Sequence, residues 1–151
     1  MKIMQELLGR TVNEVYLDKS QQHAIRFMTD QGPIQYRADG DCCSESWFYA
    51  VSGLDALLNQ IVTNVEEIYM DEKLPEVKAI IEDGKTRQEY DQLYSVKITT
   101  PRGVCELEFR NSSNGYYGGT LEQDHDPLSN RNWYDPTCPM DMQPLTKDYT
   151  A

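Results

Sequence analysis

Apolar and polar side chains alternate most regularly in two places. Ala24 to Thr29, the turn Asp30-Gln31-Gly32 and Pro33 to Arg37 read as a half-buried hairpin. Ser95 to Thr100, Pro101-Arg102-Gly103 and Val104 to Arg110 read as a second one. Related sequence precedes each hairpin: Leu7 to Val15 aligns without gaps on Leu57 to Val65, and both copies read as the end of a short helix or turn running into a strand. Each hairpin then enters a loop rich in Gly, Asn, Asp and Ser, residues 38–46 in one half and 111–119 in the other. The pattern predicts an α+β domain over residues 1–120. It would be mainly antiparallel β, with two pseudo-repeated strand-hairpin units, one or two short helices, and related loops at related strand ends.

Between the halves, an aromatic run at Trp47, Phe48 and Tyr49 leads into a short helical stretch. Ser52 or Asp55 would cap it, and Leu54, Leu57, Leu58 and Ile61 would be its apolar face. The insertion from Glu66 to Asp91 carries nine acidic and four basic side chains and reads as a solvated helix or hairpin. Residues 121–151 are rich in Pro, Asn and Asp without a sustained apolar period, so an irregular C-terminal arm is expected, pinned by Trp133, Tyr134 and Met140.

Composition narrows the function classes. The chain has 151 residues, a formal net charge of −11 and 39% hydrophobic side chains, enough for one domain with a real core. The acidic balance argues against direct binding to nucleic acid or to anionic membranes. No apolar run nears the roughly 20 residues that span a bilayer. A cytoplasmic setting follows as the expectation, with Cys42, Cys43, Cys105 and Cys138 as thiols rather than disulfides.

Two segments hold the candidate chemistry. Arg110, Asn111, Ser112, Ser113, Asn114, Tyr116 and Tyr117, with three glycines to 119, offer a guanidinium, amides, hydroxyls and phenols in ten residues. That set suits a ligand with several acceptors and a flat ring: Arg110 on a phosphate, the amides on an edge, the phenols stacking. A hairpin turn covered by two tyrosines explains the same residues. The second segment contains Asp39, Asp41, Cys42, Cys43 and Trp47. It lacks the spacing of a calcium loop, and a thiol nucleophile there has no nearby His. His23 and His125 are both expected in solvent. A metal or thiol enzyme would have to assemble Cys42, Cys43, Cys105 and His125.

The residues Gly40-Asp41-Cys42-Cys43-Ser44, Ser46-Trp47 and the run Phe109 to Gly119 resemble a family of small domains of unknown function found in bacteria and their phages. The resemblance covers about residues 7–120. It implies no reaction, cofactor or catalytic residue, and it makes a phage source an expectation.

Together these readings favour a non-enzymatic binding protein without cofactor or metal: a phage-encoded accessory or anti-defence factor engaging a basic host protein through its acidic surface. One alternative is a pocket protein that sequesters a nucleotide-like signal; a metal- or thiol-dependent enzyme is another. On either binding reading, loss of Arg110 is expected to harm binding more than folding.

Overall fold

The computed structural model describes residues 3–40, 43–114 and 118–151. Two mainly antiparallel sheets carry the fold. The first has the order β10-β1-β2-β3-β9, with β5 also on β1, and the second the order β11-β4-β8-β7-β6. Their strands are β1 Thr11–Asp18, β2 Ala24–Thr29, β3 Gly32–Gly40, β4 Glu45–Ser52, β5 Gln60–Ile61 and β6 Asn64–Met70. Then come β7 Tyr90–Thr100, β8 Gly103–Ser113, β9 Gly119–Gln123, β10 Met142–Pro144 and β11 Tyr149–Thr150. A 3-10 turn at Gln5–Leu7 and the helices α1 Leu54–Leu57 and α2 Pro75–Ile81 complete the described elements.

Both expected hairpins form, with Gly32 and Gly103 opening β3 and β8 after their turns. Each sheet therefore holds a three-strand meander, β1-β2-β3 or β6-β7-β8. Each takes its fourth strand from the segment after the other meander: β4 pairs with β8, and β9 pairs with β3. The core lies between the sheets. Ile25, Phe27, Ile34 and Tyr36 point into it from one side, and Ile98, Cys105, Leu107 and Phe109 from the other. Register shifts between Val12 and Glu14 and between Phe48 and Ala50 add a residue to β1 and β4, which keeps Val15 and Val51 inward despite the odd spacing.

The two segments that aligned in the sequence share a local geometry. Leu8 and Leu58 have φ/ψ of −57/131° and −63/128°. Gly9 and Asn59, the residues after them, both sit at positive φ, 77° and 62°. Gly9 N donates to Val62 O at 2.9 Å, and Asn59 N donates to Val12 O at 2.6 Å. Each meander is thus entered through a left-handed hook whose backbone is tied to the other meander's entry.

The region expected to be an irregular arm carries regular pairing at three places. β9 runs to Gln123, β10 lies on the outer edge of β1 and β11 on the outer edge of β4. Between the last two, Leu145 is buried in the core and its N–H donates to Val15 O. The Asp148 carboxylate accepts the N–H groups of Gly53 and Leu54, so neither Ser52 nor Asp55 caps α1. These strand pieces are too short, and too interrupted by proline, to show a period in sequence.

Candidate functional site

The chain crosses between the sheets at β3–β4 and β8–β9, and both motif segments lie there. Gly40 stands opposite Gly119 in the β3–β9 ladder. Asn111, fully buried, donates its amide to Ser44 Oγ at 3.1 Å and Ser46 Oγ at 2.9 Å, joining the second motif to the first. The glycines permit this approach. A Cβ on Gly119 would lie 2.5 Å from Ser46 Oγ and 2.9 Å from Asn111 Cβ, and one on Gly40 would lie 2.5 Å from Ser44 Oγ. The Tyr134 hydroxyl accepts the N–H groups of Gly40 and Ser46 and donates to Ala38 O. The two polar segments therefore meet, as a packed joint. Asp41, Cys42, Tyr116 and Tyr117 lie outside the described residues.

On the outer face of the second sheet, Arg110 is 1% exposed beneath the segment that follows α2. Its Nη1 donates to Asp83 Oδ1 at 3.1 Å and Asp91 Oδ2 at 3.2 Å, its Nη2 to Asp83 Oδ2 at 2.5 Å, and the guanidinium lies over the Tyr49 ring. Arg110 was expected to grip a phosphate or partner. Its charged end is instead held by the chain's own carboxylates, because β-strand alternation turns it away from the core while α2 and residues 82–91 fold over that face. Hydrogen bonds from Arg110 hold the Asp83 carboxyl below the usual carboxylate range; burial lowers the Arg110 pKa, but its bonds with Asp83 outweigh this and leave it raised. Ser112 Oγ accepts the N–H groups of Arg87 and Gln88 and donates to Asp91. Trp47, 2% exposed, packs with Tyr49, Val77 and Leu93 under Arg87, which also pairs with Glu45.

Ser113 and Asn114 alone of the Arg110–Asn114 run line an open groove of about 730 Å³, together with Lys73, Lys78, Glu89 and Tyr90. Asp39 lies apart, half-buried in a small hollow beside His23 and Tyr134.

A second polar network went unforeseen. On the outer face of the first sheet, Arg26 donates to Gln35, and Gln35 and Arg37 both donate to Asp124 Oδ2, at 2.8 and 2.6 Å. Trp133 stacks on Arg37. His23, expected in solvent, is 3% exposed, with Nδ1 3.2 Å from Asn132 Oδ1 and its ring 4.3 Å from that of Tyr134. Residues 124–140 cover this face and exclude water from it. Alternation marks Arg26, Gln35 and Arg37 as facing away from the core; of the residues expected to pin the arm, Trp133 and Met140 meet Arg37 and Tyr134 meets His23, while nothing in the sequence signals the parts of Asp124 and Asn132.

Among the described residues the thiols are dispersed. Cys105 is in the core, where burial pushes its pKa up to about 12, while Cys43, Cys138 and His125 are exposed. Among the described residues, no three His, Cys, Asp or Glu side chains gather as a metal site would require. No helix among them is long and apolar enough to cross a membrane.

A family model for a domain of unknown function, DUF7448, matches residues 5–122, from the first turn through β9. The chain belongs to the DUF7448 family. A similar relative is an uncharacterized protein, L278, of Acanthamoeba polyphaga mimivirus. It is 38% identical over 89 residues, which cover 56% of this chain and 63% of that protein. No solved structure matches the chain. The DUF7448 match contains both crossing segments and both meanders, and it stops before the residues that form β10 and β11.

Proposed function

We propose that this DUF7448 chain is a non-enzymatic binding protein, a viral accessory or anti-defence factor that engages a basic host protein through its acidic surface. One observation carries the reading: the charge left in solvent is mostly negative. Arg26, Arg37 and Arg110 are buried together with Asp18, Asp91 and Asp124, and among the described residues seventeen carboxylate side chains are exposed against six cationic ones. The outward field is therefore negative, which steers cationic partners and repels nucleic acid. The relative in a giant virus supports a viral setting. A phage source follows from the motif resemblance alone.

The scaffold reads as an internal duplication, a meander and its outgoing strand made twice. The paired hooks at Leu8-Gly9 and Leu58-Asn59 and the exchange of fourth strands support this. The test of the binding reading is co-purification from host lysate, followed by reconstitution with the purified partner across a salt series. Affinity should fall steeply with salt, and a variant with Glu66, Glu67, Asp71 and Glu72 changed to Gln should bind more weakly. Failure to retain any partner, or salt-insensitive binding, would count against it.

A second reading is favoured by the groove beside Ser113 and Asn114. Lys73 and Lys78 at its wall would face the phosphates of a nucleotide-like ligand, with Lys78 drawn from its pair with Glu82 and both acting against Glu72, Glu82, Glu89 and Asp91 in the same lining. A rise in melting temperature with a nucleotide panel, abolished by Lys73→Ala with Lys78→Ala, would support it.

A further inference from the structure

The two meanders differ at their outer edges. On β1, Met142, Gln143 and Pro144 pair with Asp18, Leu17 and Tyr16, and Val15 O accepts the Leu145 N–H. In the gap-free alignment β6 stands where β1 stands, with Val65 for Val15; continued two residues past the aligned stretch, the same offset puts Glu67 at the place of Leu17. Among the described residues no strand pairs with the outer edge of β6. Val65 O accepts the side-chain amide of Gln5 at 3.0 Å, a stand-in for the backbone N–H that serves Val15. Since Val65 turns its backbone outward, the two-residue period of an antiparallel strand turns that of Glu67 and Tyr69 outward too.

The side chains make this edge selective. Leu17 is fully buried beneath the covering segment, whereas Glu67 is exposed and lines a cavity of about 210 Å³ with Glu6, Tyr36, Leu121 and Gln123. The Tyr36 hydroxyl donates to Glu6 at 2.8 Å. Placing a second copy of β6 here would bring carboxylates together, the way edge strands are kept from self-pairing. An extended segment with Lys or Arg opposite Glu67 meets no such penalty, and the cavity gives its side chain two carboxylates.

We infer that the outer edge of β6, around Glu67 and Tyr69, is a docking site for an extended, basic peptide segment of a partner protein, which adds to the second sheet as a further strand with a Lys or Arg between Glu67 and Glu6. The inference rests on the acidic-surface reading and locates it. Backbone pairing supplies affinity in such complexes and side-chain pockets supply specificity.

The test uses the full chain and a fluorescent decapeptide of alternating Lys and Val. A second peptide of the same sequence has alternate backbone amides N-methylated to block strand pairing. The unmodified peptide should bind, with slowed amide exchange at Glu67 and Tyr69. N-methylation and Glu67→Lys should each weaken it at least tenfold, and Asp55→Lys, at an exposed carboxylate on α1, should change affinity less than twofold. Unchanged melting of Glu67→Lys establishes that the edge is intact. Equal binding of both peptides, or equal loss with Asp55→Lys and Glu67→Lys, would overturn the docking edge and leave the acidic-surface reading standing. Absence of binding by either peptide at low salt would overturn both.

Discussion

Replacing Arg110 with Ala should cost the fold about 3–4 kcal/mol, a large part of the roughly 5–15 kcal/mol that holds a domain together. The guanidinium neutralises Asp91, whose side chain is fully buried, and Asp83, whose side chain is 27% exposed. Breaking a buried ion pair by removing one partner costs about 3–5 kcal/mol because a charge is left without compensation. Water reaching Asp83 lowers the cost, while the space vacated over Tyr49 adds to it. Urea unfolding followed by tryptophan fluorescence reads the change directly, with Trp47 in the affected layer. Arg110→Met keeps much of the volume and isolates the charge. Adding Asp91→Asn to Arg110→Met should recover about 1–3 kcal/mol by removing the stranded carboxylate. A loss below about 1 kcal/mol for Arg110→Ala, or no recovery in the double variant, would refute this reasoning and restore Arg110 to the list of contact residues.

Other outcomes follow from the joint and the edges. Leu145→Ala should destabilise by roughly 2–4 kcal/mol, and hydrogen exchange should accelerate first along β10 and β11; exchange spread evenly through both sheets would contradict the local role. Gly119→Ala should cost about 1–3 kcal/mol by pushing on Ser46 and Asn111, and unchanged stability would mean that the crossing is looser than described. Burial raises the Asp18 pKa, but bonds from the Ser20 hydroxyl and the N–H groups of Asp141, His23 and Ser20 outweigh this and leave it lowered. A folded pKa below the unfolded one gives stability that is present above the unfolded value of about 4 and lost as pH falls through the folded value. Asp18→Asn should therefore flatten the acid limb of the stability curve and loosen Asp141; an unaltered limb would assign the acid sensitivity elsewhere.

Hairpin strands and turns were legible because alternation and turn chemistry are local. The polar make-up of the two segments was legible from composition; that they close on each other as a packed joint was not. Glycines that approach a ligand and glycines that approach Ser46 or Ser44 look alike in sequence. Alternation gives the face of β8 on which Arg110 lies and does not say whether that face is covered. The cover depends on α2 and on Asp83, 27 residues earlier in the chain, with no periodic signal linking them. His23 and Arg37 were missed for a related reason: the segment over them is held by individual polar bonds and one stacked Trp, a kind of attachment that leaves no hydrophobic repeat.

The exchange of fourth strands sets a condition on how the chain reaches this state. The first meander cannot gain its outer neighbour β9 until synthesis has passed residue 123, and the second has β4 waiting long before β8 exists to receive it. With its fourth strand supplied by the other, neither half is expected to fold on its own. A nascent chain stalled between the halves would present an open apolar face to the ribosome exit and to chaperones, and separate expression of the two halves should yield insoluble fragments that become soluble only when made together.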